Sequence, residues 1–188
     1  LRIIVFLLIF VFPFKNLLAA DIPIIVIAPG KTTQSYSVVG SAVSVIDNND
    51  IEDSQYFFLA DTLNNNSTGI NLFQMGGQGT NAGIQLRGLP KRYSTVYIDG
   101  VKMSDPSSSD NSFYSENIMK NSIDRVEILR GAQSSLYGSS AIGGTVNIFT
   151  KKGEKGGGPK FEISNGSNST KNIFFSIDNA NNKFDYYL

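Results

Sequence analysis

The sequence contains no cysteine, no histidine and no tryptophan among its 188 residues. Without cysteine it has no disulfide framework, no thiolate nucleophile and no zinc site with cysteine ligands. Without an imidazole, the Ser-His-Asp and Cys-His catalytic arrangements are excluded as well. The serines within residues 134–139 therefore have no base to activate them, which argues against a secreted hydrolase. We predict that the chain is not an enzyme and binds neither a cofactor nor a catalytic metal.

An excess of charge of either sign is also absent. Lys and Arg number 16, Asp and Glu also number 16, and the formal net charge is zero. Nucleic-acid-binding proteins usually present a basic face, so we do not expect nucleic acid as a partner. A calcium site built from oxygen ligands alone is compatible with this composition, with Asp105 and Asp110 as candidates. A solvated loop is the favoured interpretation of these two aspartates.

The N-terminal segment "LRIIVFLLIFVFPFKNLLAAD" contains an unbroken apolar run from Ile3 to Phe12. The run is too short for a transmembrane helix but typical of the core of a signal peptide. Small residues at Ala19 and Ala20 precede Asp21 and supply a cleavage site. We predict a signal peptide over residues 1–20 and export across the inner membrane; the alternative is a buried element of the mature fold.

The next segment, "DIPIIVIAPG" at residues 21–30, is a β-prone patch bracketed by two prolines. Proline restricts such a patch to extended conformations and keeps it out of the middle of a sheet. We expect a tethered extended peptide, outside the folded core, that adds as a strand to the sheet edge of another protein. The alternative is that the patch is the first strand of the fold. Its residues are Ile24, Ile25, Val26, Ile27 and Ala28.

The middle of the chain alternates short apolar runs with turns rich in glycine, serine and asparagine. This pattern predicts a small mixed-sheet α/β domain with short helices. The predicted strands are residues 43–46, 70–73, 84–86, 95–98, 126–128 and 146–148; the predicted helices are a capped one near 47–54, one over 55–63 and one over 113–119. The last two strands flank a loose turn that contains one tyrosine.

The C-terminal part begins with a glycine-rich linker, "KKGEKGGGPK", and continues as alternating strands. Ile173, Phe175 and Ile177 alternate with more polar residues, and Phe161 and Ile163 do the same over a shorter stretch. Such alternation is typical of transmembrane barrel strands. It fits a half-buried soluble sheet equally well.

Taken together, the motifs resemble the plug domain of TonB-dependent outer-membrane receptors. The resemblance is carried by "IQLRGL" (84–89), "VYIDGVKM" (96–103) and "IDRVEILRGAQSSLYGSSAIGGTVNIFTKKG" (123–153), in that order after the "IIVIA" patch. It implies a TonB-box-like segment over residues 21–30 and a plug domain over 31–153. Residues 154–188 would be a linker and the first antiparallel strands of a transmembrane β-barrel, which so few strands cannot close.

The resemblance implies a receptor in the outer membrane for active uptake of a scarce small-molecule nutrient. Cobalamin is favoured as the nutrient, and a ferric siderophore or haem comes next. The partner implied for residues 24–28 is TonB, the periplasmic energy transducer. Two alternatives are a soluble periplasmic binding module and a vestigial, truncated receptor. An alternating tail favours the receptor over the soluble module.

The resemblance also assigns roles to individual residues. Those expected to face the nutrient from the plug loops are Gln78, Thr80, Asn81, Lys91, Arg92, Tyr93, Asp105, Ser108 and Ser109. Those expected to be enclosed in the barrel lumen, with the barrel wall pairing some of them, are Arg87, Arg125, Glu127 and Arg130. Buried charges persist only when they are paired. The alternative for these four residues is a solvated position at the ends of the sheet.

Overall fold

The computed structural model describes residues 25–77, 79–167 and 169–188. The predicted signal peptide, Ile24 and Gln78 lie outside these residues. The strands are β1 (Ile25–Val26), β2 (Gln34–Ser35), β3 (Ala42–Ile46), β4 (Ile70–Gln74), β5 (Ala82–Leu86), β6 (Ser94–Ile98), β7 (Val101–Met103), β8 (Ile123–Arg130), β9 (Gly144–Thr150), β10 (Pro159–Asn165), β11 (Lys171–Ala180) and β12 (Asp185–Tyr187). The α-helices are α1 (Asn48–Asp53), α2 (Leu59–Asn66) and α3 (Ser134–Tyr137). None of the helices described is long and apolar enough to cross a membrane.

A five-stranded mixed sheet in the order β3-β8-β9-β6-β7 organises the domain, which confirms the predicted α/β class. β6 and β9 are parallel, and the other neighbours in this sheet are antiparallel. Asp99 and Gly100 both have positive φ, as a tight hairpin turn between β6 and β7 requires. β4 and β5 form a separate hairpin.

The sheet is covered on both faces. Alternate residues of β8 point to opposite sides and enter two different cores. Val126 and Ile128 face a core that includes side chains from α1, α2, β4 and β5. Leu129 faces a second, smaller core. Its buried members are Val26, Ala28, Val43, Tyr97, Leu129, Tyr137 and Ala141. Residues 126–129 of β8 are accordingly all buried.

Helix α1 begins as its sequence predicts, with Asp47 as N-cap. The Asp47 side chain accepts a hydrogen bond from the Asp50 N–H at 3.0 Å, and Asp50 reciprocates. Helix α2 begins at Leu59 instead of residue 55. Phe58 is held extended by an isolated bridge to Met119, so a distant pairing overrides the local helical spacing.

The helix predicted over residues 113–119 is wrong. The Ser115 N–H donates to the Ala82 carbonyl at 2.8 Å, and the Ile118 carbonyl accepts from the Leu59 N–H at 2.8 Å. Because these main-chain groups bond to distant residues, they are not available for helical hydrogen bonds.

The turn between β8 and β9 is ordered instead of loose. Helix α3 occupies its centre, the Gln133 N–H donates to the Ala141 carbonyl at 2.8 Å, and the Gly131 N–H donates to the Gly143 carbonyl at 3.0 Å. The single tyrosine of this stretch, Tyr137, is buried in the second core. The connection therefore packs on the sheet instead of projecting from it.

The C-terminal strands form an antiparallel sheet in the order β10-β11-β12, and the predicted alternation is confirmed. Phe161 is opposite Phe175 and Ile163 is opposite Ile173, all on one exposed face. Gly153, in the linker, lies so close to this sheet that an added Cβ would stand 2.0 Å from the Asn179 carbonyl oxygen. Glycine in the linker thus allows it to lie directly against β11.

Gly144 provides a test of the packing between β8 and β9. Its φ is +144°, and a Cβ there would stand 2.1 Å from the Leu129 carbonyl oxygen. We expect Gly144→Ala to lower the free energy of unfolding by on the order of 2 kcal/mol, measured by urea denaturation followed by circular dichroism. Gly40→Ala is the control, since nothing lies within 4 Å of its added Cβ. Equal losses in the two variants would contradict this account.

Candidate functional site

The N-terminal patch is part of the fold, so the expectation that it lies outside the core is wrong. Ile25 and Val26 pair antiparallel with Ser35 and Gln34, which agrees with the alternative interpretation of a first strand. The side chains of Val26 and Ala28 are 0% and 2% exposed. They fill the second core, and the burial of these apolar side chains favours docking over a free tether.

Two polar side chains, one from the sheet and one from helix α3, hold the main chain of this patch. The N–H groups of Ile27 and Ala28 both donate to Glu127 Oε2, at 2.8 and 2.7 Å. The Ala28 carbonyl accepts a hydrogen bond from the Tyr137 hydroxyl. Strand β8 and helix α3 therefore converge on two consecutive residues of the patch.

Glu127 is fully buried, and its second oxygen is paired as well. Arg125 Nε donates to Glu127 Oε1 at 3.0 Å, while Arg125 Nη1 donates to Asp124 Oδ2 at 3.0 Å. The Arg125 guanidinium also lies 4.2 Å from the centre of the Phe149 ring. Two of the charges expected to face a barrel wall thus pair with each other inside the domain.

An aromatic pair supports the hydroxyl that reaches Ala28. The rings of Tyr97 and Tyr137 pack edge to face with centroids 5.0 Å apart, and the Tyr97 hydroxyl donates to the Tyr137 carbonyl at 3.0 Å. The Lys31 ammonium lies 4.9 Å from the Tyr137 ring centre. Burial, followed by the negative charge of Glu127, raises the pKa of Tyr137 to about 12. Its hydroxyl is therefore protonated and able to donate at neutral pH.

The other two predicted lumen charges lie toward one end of the sheet. Arg130 Nη1 donates to the Thr68 carbonyl at 2.6 Å, and Arg130 Nη2 donates to the Ser44 hydroxyl. Arg87 is exposed and has a φ of 56°. Within the described part of the chain neither arginine pairs with a carboxylate. Their pairing with a barrel wall stays a prediction.

Lys91 joins the loops that were predicted to face the nutrient. Its ammonium lies 3.3 Å from Asp110 Oδ2, donates to the Tyr114 hydroxyl at 2.8 Å and stands over the Tyr114 ring. Its alkyl chain covers Gly83, where an added Cβ would stand 2.8 Å from Lys91 Cδ. Lys91 thus connects three segments of the chain: the turn at 91–93, the loop at 104–112 and the start of β5. Nothing in the sequence pointed to Tyr114.

The aspartates of the 104–112 loop organise that loop. Hydrogen bonds from Ser112 hold the pKa of the Asp110 carboxyl well below its usual range, and those from Lys91 and Ser108 lower it further. Asp105 Oδ1 accepts from the N–H and the hydroxyl of Ser107, at 2.9 and 2.6 Å. No group of three or more metal-ligating side chains gathers among the residues described. These contacts agree with the favoured interpretation of the two aspartates as loop residues.

The remaining predicted nutrient-facing residues differ in exposure. The exposed ones are Thr80, Asn81, Arg92 and Ser109, whereas Tyr93, Asp105 and Ser108 are half-buried. The Arg92 guanidinium stacks over the Tyr93 ring at 4.8 Å. The exposed members of this set are therefore polar, with one positive charge contributed by Arg92.

The Asp110 carboxyl makes the stability of the fold depend on pH. Because its pKa is lowered in the folded state, its contribution to stability is present above its unfolded pKa, about 4, and is lost as the pH falls. We expect Asp110→Asn to lower the melting temperature at pH 6 by about 2–4 °C, for a loss on the order of 1 kcal/mol. The difference from wild type should shrink as the pH falls to about 3. Asp53→Asn, at an exposed position in α1, is the control; a pH-independent difference for Asp110→Asn would contradict the assignment.

Comparisons with known proteins were consistent with one another. Residues 36–145 match the family model described as TonB-dependent Receptor Plug Domain. The chain is 30% identical over 156 residues to the vitamin B12 transporter BtuB of Vibrio vulnificus, covering 83% of this chain and 25% of that protein. It is 35% identical over 127 residues to BtuB of Vibrio cholerae, covering 68% of this chain and 20% of that protein.

A solved structure is similar as well. The ferric yersiniabactin uptake receptor FyuA from Yersinia pestis aligns with a TM-score of 0.57 and 25% identity, over 76% of this chain and 22% of that one. The chain thus spans a quarter or less of the length of each of these three relatives.

Proposed function

Because the chain belongs to the family of TonB-dependent receptor plug domains, we propose that it is the plug and first barrel strands of an outer-membrane receptor for active nutrient uptake. The observation that carries the proposal is the continuity of a plug-like mixed sheet with antiparallel strands that expose one apolar face. The relatives named above are transporters and an uptake receptor, which supports transport over catalysis.

The exposed face of β10 and β11 supports a position in the outer membrane. Phe161, Ile163, Ile173 and Phe175 are between 59% and 71% exposed and lie side by side. The opposite face of β11 carries Ser176 and Asp178, which are 1% and 2% exposed. A contiguous apolar surface is unfavourable in water but matches the lipid-facing side of a barrel strand. This face therefore favours a receptor over a soluble periplasmic module.

We propose cobalamin as the nutrient and a ferric siderophore as the second candidate. The relatives at 30% and 35% identity are vitamin B12 transporters, and a receptor at 25% identity takes up ferric yersiniabactin. The ligand would contact the polar surface formed by Asn81, Arg92 and Ser109. The ion pair between Lys91 and Asp110 holds the loops that carry this surface.

The proposed energy transducer is TonB, acting on residues 24–28. Strand addition depends mainly on main-chain hydrogen bonds, so it tolerates variation in the side chains of the patch. Ligand at the loops would favour release of the patch on the opposite side, and pulling would then remodel the plug. Short strands and long polar loops allow such local opening at modest cost.

Nutrient binding is tested on outer membranes from cells that produce the protein from its gene. We expect saturable binding of radiolabelled cyanocobalamin, weakened severalfold in the double variant Asn81→Ala/Arg92→Ala because exposed polar contacts are lost. Lys102→Ala, at an exposed position on β7, is the control and should bind normally. Saturable binding of a radiolabelled ferric siderophore with none of cyanocobalamin would favour the second candidate, and no binding of either would contradict the proposal.

The role of residues 24–28 is tested by removing one main-chain donor. Val26→Pro eliminates an N–H and should abolish energised uptake while leaving nutrient binding intact. Val26→Ala keeps the main chain and should retain most of the uptake. If both variants transport equally well, TonB does not act through this segment.

A further inference from the structure

The carboxylate of Asp178 lies at the junction between the plug and the C-terminal sheet. It is on the face of β11 opposite the exposed apolar residues and is 2% exposed. Its Oδ2 accepts a hydrogen bond from the Glu154 N–H at 3.2 Å. We propose that Asp178 is an anchor that binds the linker, residues 151–158, to the C-terminal sheet and keeps it there when the plug moves.

The linker follows the sheet closely on either side of this hydrogen bond. An added Cβ at Gly157 would stand 2.2 Å from Asp178 Oδ2. One at Gly153 would stand 2.4 Å from the Tyr186 carbonyl oxygen. The Gly157 N–H donates to the Glu154 carbonyl at 3.1 Å, which closes a turn beside the carboxylate. A glycine-rich composition is typical of a flexible spacer, but here the missing side chains permit a close fit.

The charge of Asp178 strengthens the anchor. A hydrogen bond to a carboxylate is about twice as strong as a neutral one. The Lys160 ammonium lies 3.7 Å from Asp178 Oδ1, which is close enough for an ion pair but too far for a hydrogen bond. Among the residues described, Oδ1 accepts no hydrogen bond. A buried carboxylate with incomplete hydrogen bonding does not stabilise a sheet by itself, so its contact with the linker gives a reason for its position.

The other two strands of the C-terminal sheet contact the plug at a second point, outside the linker. The Tyr187 hydroxyl on β12 donates to the Asn121 carbonyl at 3.1 Å. The Asn121 side-chain amide donates to Glu162 Oε2 on β10 at 3.4 Å. Each of the three strands therefore contributes one polar side chain to the junction, and the sheet holds the end of the plug as well as the linker.

An anchored linker limits how far a movement of the plug can extend. A free glycine-rich spacer samples many conformations and would let the plug separate from the sheet. With the anchor closed, the linker stays on β11 whatever the remainder of the plug does. In a receptor whose plug opens during uptake, the anchored end would remain with the barrel wall. That consequence rests on the proposed function, whereas the anchor itself does not.

Amide hydrogen exchange at Glu154 tests the anchor on the full chain in detergent micelles. Asp178→Ala should speed the exchange of the Glu154 N–H about tenfold, the effect of losing one charge-assisted hydrogen bond. Asp185→Ala, at an exposed position on β12, removes the same charge from the same sheet and should leave that rate unchanged. An unchanged rate in Asp178→Ala would overturn the anchor.

Two glycine variants test the close fit without removing the carboxylate, and they decide the matter if Asp178→Ala does not fold. Gly157→Ala places a Cβ against Asp178 Oδ2 and should speed the exchange of Glu154 by a similar factor. Gly158→Ala is the matched control, because nothing lies within 4 Å of its added Cβ. Equal exchange rates in these two variants would contradict an anchored linker.

A crosslink tests whether the linker stays in place during uptake. The side chains of Lys155 and Asn182 touch at 3.0 Å, and the chain has no cysteine of its own. We expect joining the pair Lys155→Cys/Asn182→Cys with a bismaleimide to leave nutrient uptake by whole cells unchanged. Loss of uptake on crosslinking, but not in the unlinked pair, would overturn the stationary linker. No uptake by wild type would show instead that the proposed function fails, and the exchange rates would still decide the anchor.

Discussion

The Glu127 carboxylate lies in the middle of β8, fully buried, and accepts hydrogen bonds from two directions. One oxygen binds the main chain of Ile27 and Ala28, and the other binds Arg125. A buried carboxylate is tolerated only when its oxygens have such partners. The N-terminal patch, Glu127 and Arg125 therefore depend on one another. Removing the patch or Arg125 leaves the buried Glu127 carboxylate without part of its pairing.

The central sheet separates two regions that a receptor would need to couple. On one side the loops around Lys91 and Asp110 form a pre-organised polar surface. On the other side the patch at residues 25–28 is held by β8 and α3. β6 and β9 run in parallel in this sheet, between β8 and β7. The C-terminal strands then present an apolar face outward, as a barrel wall would.

The strands of the central sheet other than β7 could be predicted because alternation is a local property that burial preserves. Three features could not be predicted, because contacts between distant residues determine their conformation. They are the docking of the patch, the start of α2 and the segment 113–119. Ile27 meets Glu127 across 100 positions, and no periodicity in the sequence contains that information. The unusual tyrosine of the β8–β9 connection was the available signal, since a lone aromatic among small residues marks a site of packing. Its partner in the N-terminal patch was not evident.

Amide hydrogen exchange at Ile27 and Ala28 tests the central claim most directly. If the Glu127 carboxylate holds both N–H groups, they should exchange far more slowly than an unstructured peptide, with protection comparable to that of neighbouring amides in β2. Exchange at the rate of a free peptide would show that the patch is not docked, and the interdependence of the patch, Glu127 and Arg125 would be wrong.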